Sequence, residues 1–426
     1  MDEGWRLPGG ESALFFMGAI KTQFFVSYAI LGSLMPLLGV FLKDVKGLSA
    51  QQVGLASGLT SLAMLTSPVL ITLLADTKLD SRRILAVAFA MSATVLALMG
   101  SAQTPVTTIV LFMLHGFAFV AMLPLMDGFF FSYAEEIERG KRLGEGGKVG
   151  SSGGVMVPTY PRVRVWGTIG FILPSVVLWL AIRNGADSSV IVPCAILFCV
   201  LSLLNSFRLP KVARPVAAKN AAKLPTREAL RVLFSAQARV LCIGLFLAYL
   251  STAAFYAFIA IFLSDVVGVA HEWIGLVMAI GVFLEIFWTL YMPKLQSAIR
   301  LKGILVAGLA LMGIRMMVLA KFPYLPVVMI AMVSHGLEVL ALFIVPVMYL
   351  NRLAGDRFRN SMQGVFTMSV SATSRILGAF TAGWLVAHTS LETMFMWAGA
   401  MGLVAAAVVL IFFRNIPEDN EVASNE

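Results

Sequence analysis

Charge is scarce in this chain: only 13% of its 426 residues are Asp, Glu, Lys or Arg, where a soluble globular chain carries about 25%. That shortage excludes a water-soluble fold. Cysteine is rarer still, and Cys194, Cys199 and Cys242 lie in apolar stretches without metal-ligand spacing, so they read as small packing residues. The sequence lacks a Gly-rich loop ending in Gly-Lys-Ser/Thr for ATP and a His-Glu-x-x-His helix for an intramembrane protease. The stretch GEGGKVGSSGG within residues 135–160 imitates a phosphate loop but lacks that ending and any strand context; it reads as a flexible linker. No enzyme, cofactor or metal constellation is present, so the energy for any work must come from a gradient.

What the chain has in abundance is apolar length. Hydrophobic residues make up 59% of it and the mean hydropathy is +0.88. A helix crossing a roughly 30 Å hydrocarbon core needs about 20 apolar residues. About twelve such runs are legible, at 15–42, 53–75, 84–100, 107–133, 165–182, 190–207, 240–263, 273–292, 304–320, 325–350, 364–387 and 394–413. The first is too long for a removable signal peptide, and Pro36 kinks or tilts it.

Basic residues set the orientation. With both termini cytoplasmic, 24 of the 32 lysines and arginines fall on the inner side, against four outside: Lys43, Lys46, Arg183 and Lys321. The net charge of +9 is thus the positive-inside bias of an inner-membrane protein and calls for no nucleic-acid partner. Residues 208–237 turn polar and basic, with Pro210, Pro215 and Pro225, and read as a cytoplasmic linker between two six-helix bundles, 1–207 and 238–426. Weak repeats agree with that division. His115-Gly116 in the fourth span returns as His335-Gly336 in the tenth, and Arg164-x-x-Gly167 in the fifth as Arg375-x-x-Gly378 in the eleventh. Both matches pair span n with span n+6, the pattern of parallel repeats with a substrate site near the midplane.

Ionisable groups inside such spans are costly and mark a pathway by default. Glu285, Arg315, His335 and Glu338 are such groups. His335 and Glu338 are three apart, hence neighbours on one helix face. Burial disfavours a charged carboxyl, whereas an approaching arginine, which keeps its proton, drives the carboxyl's proton off. A carboxylate that meets Arg315 in one conformation only is therefore a proton switch; Glu338 is the first candidate and Glu285 the second. Asp127 and Arg164 form another cluster, since an Asp at mid-span wants a cation and Arg164 can offer a forked donor pair or snorkel to the surface. Tyr249 is a candidate for the cavity wall or for a helix contact. His115 reads as structural, Lys21 as a snorkelling residue, and Arg375 has no nameable partner.

These features resemble the major facilitator superfamily over essentially the whole chain. The loop LLADTKLDSRRIL resembles the family's signature between the second and third spans, with Asp76 and Arg82 or Arg83 matching, although Thr72 or Leu73 replaces the usual Gly. The resemblance implies a cytoplasmic gate latch there. Arg164-Val-Trp-Gly-Thr168-Ile-Gly-Phe171 is similar to the fifth span of the nucleoside:proton symporters, which implies that Arg164, Thr168 and Phe171 line a nucleoside site. His335-x-x-Glu338, with Glu285, Arg315, Asp127 and Arg164, resembles instead the lactose permease type and the related phenylpropionate permeases, which implies proton handling by the first four. Phe171 stands where the galactoside permease has a sugar-stacking Trp, which shifts the expected substrate toward a nucleobase or aromatic ring.

The expectation is an all-α, twelve-helix transporter of the major facilitator fold in a bacterial plasma membrane. It acts as a monomer, with both termini cytoplasmic and no cofactor or metal. It imports a small organic solute with protons, a nucleoside first, a sugar or aromatic acid as the alternatives. From another class, a transport-inactive membrane receptor or scaffold also fits.

Overall fold

The computed structural model describes residues 10–66, 80–120, 122–145, 160–211 and 226–414. Among them the chain is helical throughout and no strand forms. Helix α1 (Gly10–Leu34) ends just before Pro36, which has no N–H to continue the ladder, and resumes as Leu38–Val40 and a π turn, Phe41–Val45. Then follow α2 (Ala50–Thr60), α3 (Ser81–Ser101), α4 (Pro105–Phe119), α5 (Met122–Glu145), α6 (Tyr160–Arg183) and α7 (Ile191–Ser206). The remainder holds α8 (Thr226–Leu233), α9 (Ala236–Asp265), α10 (His271–Lys321), α11 (Leu325–Val333), α12 (His335–Val339), α13 (Val345–Phe366), α14 (Thr373–His388) and α15 (Leu391–Phe412).

Eight helices among the described residues are long and apolar enough to cross a bilayer. The second of the twelve apolar runs lies partly outside the described residues; the other differences have local causes. In the fourth run the described helices Pro105–Phe119 and Met122–Glu145 lie on either side of residue 121, which is not among the described residues. The eighth and ninth runs are two helices that meet end to end within the stretch labelled α10, at Arg300, whose φ of 58° and ψ of 172° are non-helical. The tenth breaks at Ser334, continues as α12 and a π turn, Leu340–Ile344, and runs through Pro346 into α13. The eleventh begins within α13 and passes a third π turn, Thr367–Ala372. π turns inside helices concentrate at functional sites, and the one at Leu340–Ile344 directly follows the buried His335 and Glu338.

Caps mark where helices meet water. Ser49 closes a capping box with Gln52 at the start of α2, Asp80 caps α3, Thr104 caps α4 ahead of Pro105, and Ser390 caps α15. In between, packing is decided by apolar surface and small residues. A Cβ on Gly170 would collide with the Phe25 carbonyl oxygen, and one on Gly32 with that of Phe171, so α1 and α6 touch backbone to backbone. Gly54 and Gly383 do the same for α2 and α14.

In the first part of the chain α1 packs on α6 and α7, and α3 on α4 and α7; in the second, α9 and α10 pack on α15, and α9 on α14. The two parts meet through α2 with α14, α6 with α10, and Leu38–Val40 with α9. Polar contacts across this meeting gather at one end. Lys43 pairs with Asp265, His271 Nε2 lies 3.7 Å from Asp44, Ser188 Oγ is 3.4 Å from His271 Nδ1, and the Trp179 and Trp273 rings are 5.6 Å apart. The amphipathic α8, inside the expected linker, turns Ala229 and Leu233 inward and packs on α13.

Candidate functional site

The buried charged group around Glu338 is assembled from three helices. Arg315 comes from α10, His335 and Glu338 open α12, and Thr252 and Phe255 face them from α9. Arg315 Nη2 lies 2.5 Å from Glu338 Oε2, with the two side chains 1% and 2% exposed. Glu338 Oε1 accepts from Thr252 Oγ1 at 3.4 Å, and His335 Nδ1 stands 3.8 Å from Glu338 and 3.5 Å from Arg315 Nη1. The Phe255 ring lies under the guanidinium at 4.4 Å, and Arg315 Nε is buried without a hydrogen bond among the described residues. Such a pair is held by geometry and hydrogen bonds rather than by net stability, because desolvating two ions offsets most of their attraction.

Glu285, on α10, is placed differently. It makes no hydrogen bond or ion pair to any described residue, yet lies within electrostatic range of His335 and of Arg164. It is brought close by Gly336: a Cβ there would lie 2.9 Å from the Glu285 Cα. Glu285 therefore sits between the first-half and second-half clusters.

In the first half, Asp127 on α5 accepts a hydrogen bond from the Tyr160 hydroxyl at 2.8 Å. Arg164, on α6, lies within electrostatic range of Asp127 but forms no ion pair with it; its guanidinium covers the Tyr28 ring at 4.0 Å. The expected forked Asp127–Arg164 contact is replaced by a carboxylate–phenol bond and a cation–π stack. Thr168 and Phe171 follow on α6, both partly buried. Tyr249 is buried at a helix contact, its hydroxyl donating to the Leu342 carbonyl at 2.6 Å and its ring facing Arg375.

Asp76 lies outside the described residues. Arg82 is held by Asp80 at 2.7 Å and donates to the Leu209 carbonyl at 3.0 Å, while Arg83 is exposed. Burial would raise the Asp80 carboxyl, but hydrogen bonds from the Arg82 side chain and backbone outweigh it and hold Asp80 below the usual carboxylate range. His115 is structural, bonded to Ser92 Oγ at 2.9 Å and stacked on Phe119. No cluster suited to a metal occurs among the described residues.

Sequence reasoning passes over Tyr28, Tyr160, Thr252, Phe255 and Asp80. Tyr and Thr in apolar spans are ordinary packing residues, so nothing local marks them. Tyr28 alone leaves a trace, since the stretch FFVSY that ends on it resembles the LFLAY that ends on Tyr249.

The family model of the MFS_1 like family matches residues 18–397. The chain belongs to that family. Membership places it among multi-pass membrane transporters of the major facilitator type and not among enzymes. Among its relatives is the putative nucleoside transporter YegT of Escherichia coli K12, 24% identical over 435 residues and 95% of each chain. The nucleoside permease NupG of the same organism is 22% identical over 170 residues, 40% of this chain and 36% of NupG. The crystal structure of nucleoside transporter NupG superposes with a TM-score of 0.78 at 18% identity, covering 94% of this chain and all of that one. A crystal structure of tetrameric PepTSo2 does so at 0.68 and 13% identity, covering 94% and 98%. These likenesses establish the fold.

Proposed function

We propose that this protein imports nucleosides together with protons by alternating access. Relatives named as nucleoside transporters support the cargo, as does an α6 that presents Arg164, Thr168 and Phe171 from one helix. The observation that carries the coupling is Glu285: a carboxylate with no direct partner among the described residues, within electrostatic range of Arg164 on one side and His335 on the other.

In this reading twelve spans form two six-helix bundles, 1–207 and 238–426, joined by 208–237. Both termini are cytoplasmic, and the protein works as a monomer in a bacterial plasma membrane. The polar contacts around Lys43, Asp265, Asp44 and His271 then close the outer end, and the solute site opens inward. In this state Glu338 is engaged by Arg315. When the halves rock, a rearrangement of α10 against α12 within the second half withdraws Arg315; Glu338 then loses its cation and takes a proton from outside, and return of Arg315 expels it inside. His335 relays between Glu338 and Glu285. Glu285 senses the solute, because a substrate hydroxyl bonded to it supplies the partner it lacks. Asp127, Arg164, Thr168, Phe171 and Tyr249 contribute to the solute site, and Asp76 with Arg82 and Arg83 forms the inner latch.

Purified protein in liposomes, with an inward proton gradient, is expected to accumulate labelled uridine, adenosine or inosine and to stop when the gradient is collapsed. Correctly folded protein that accumulates none of them sinks the reading. Arg375, which pairs with no carboxylate among the described residues, favours a second reading in which the cargo is an aromatic acid; uptake of a phenylpropanoate but no nucleoside would select it.

A further inference from the structure

The weak sequence repeat has a structural counterpart. Arg164 on α6 stacks on Tyr28 of α1 at 4.0 Å, and Arg375 on α14 lies over Tyr249 of α9 at 5.2 Å. Each arginine is followed three residues later by a glycine pressed against the same neighbouring helix. A Cβ on Gly167 would lie 2.8 Å from the Tyr28 ring, and one on Gly378 would collide with the Leu250 carbonyl oxygen. The two halves therefore build one device twice: an arginine set over a tyrosine ring of the adjacent first or seventh span.

Their electrostatic settings differ. Arg164 has Asp127 and Glu285 within range. Arg375 has neither a carboxylate nor a carbonyl bonded to it among the described residues. Its Nε donates to Ser371 Oγ at 3.3 Å, and its guanidinium also lies 5.7 Å from the Phe343 ring, a side chain 43% exposed. Tyr256 lies within electrostatic range of Arg375, Arg315, Glu338 and Glu285 together, so Arg375 shares an electrostatic neighbourhood with the coupling group. The N–H groups of both terminal nitrogens, which lie in the guanidinium plane, have no hydrogen-bond partner among the described residues. Guanidinium donors in that plane match two adjacent in-plane acceptors.

We propose that Arg375 is a base-recognition residue of the solute site, holding a nucleoside through two acceptors on one edge of its base, as O6 and N7 of a 6-oxopurine present them. The inference rests on the nucleoside reading above. Arg375 selects acceptors, and Glu285 and Asp127, being carboxylates, are left for hydroxyl donors.

The test compares inosine with 7-deazapurine riboside, whose base lacks both acceptors, by calorimetric binding to the purified full-length protein and its R375K variant. Arg375→Lys keeps the charge and removes the fork. It is expected to weaken inosine at least about tenfold while leaving the 7-deaza analogue within about twofold, with thermal unfolding unchanged. A purely structural role moves both ligands alike, and equal losses, or none, overturn the inference alone. A wild-type protein that binds no nucleoside overturns the proposed function and the inference with it; Arg375→Gln, tested against a phenylpropanoate, then asks whether the same fork takes a carboxylate.

Discussion

Replacing Glu338 by Gln removes one charge from a site where both partners are almost wholly buried, at 2% and 1% exposure. The glutamine keeps the volume and one carbonyl acceptor for Arg315 but leaves the guanidinium uncompensated. Removing one partner of a buried pair costs about 3–5 kcal/mol, and the retained acceptor, with the Phe255 ring under Arg315, puts E338Q near the lower end. Replacing both partners by apolar residues, Arg315→Met with Glu338→Leu, removes the uncompensated charge and is expected to cost less than either single change. Thermal and denaturant unfolding of the purified variants measures this. The transport consequence is separate. One proton per solute supplies about 2.3 kcal/mol per 100 mV, which at about 1.4 kcal/mol per factor of ten is roughly 40- to 50-fold accumulation. E338Q cannot exchange a proton, so it is expected to equilibrate solute without accumulating it while still exchanging labelled for unlabelled solute. Accumulation at the wild-type level by E338Q, or additive losses in the double variant, would refute the switch.

Four further outcomes follow from the geometry. Gly170→Ala drives a methyl into the Phe25 carbonyl oxygen, where backbone has to yield; destabilisation of about 3 kcal/mol or more is expected in unfolding experiments, against little for Gly128→Ala, which meets no atom within 4 Å. Asp80→Ala removes the α3 cap and the Arg82 contact and is expected to cost about 1 kcal/mol. Because Asp80 is held below its ordinary range, its contribution is complete at neutral pH and is lost as pH falls through that lowered value, so wild type and D80A should converge in acid unfolding curves. Lys43→Met weakens the pair with Asp265, whose side chains are 39% and 33% exposed and which the proposed reading puts at the outer end; a cost of at most about 1 kcal/mol, roughly a fivefold shift in population, should appear as faster labelling, from that end, of a cysteine placed in the cavity.

The spans that read most clearly are those with a single apolar run and polar ends, such as α3 and α15, where composition and caps act locally. The tenth run is visible as apolar but its break at Ser334 is not, because a break depends on which carbonyls find donors after packing. Among site residues, Glu285, Arg315, His335 and Glu338 are conspicuous because a charge in an apolar run needs no context to be noticed. Tyr28, Tyr160 and Thr252 are not, since a hydroxyl in such a run is ordinary until its partner is known.

From the sequence alone came the membrane, the approximate spans, the inner and outer faces expected from the basic residues, and the presence of buried charge, all consequences of transfer free energy summed along the chain. Tertiary structure decided the pairings: Glu338 with Arg315, Asp127 with Tyr160 instead of Arg164, and each of Arg164 and Arg375 on a tyrosine. Hydrophobicity accumulates residue by residue and can be read in order. A partner is a matter of distance in space, and helices far apart in the chain supply it.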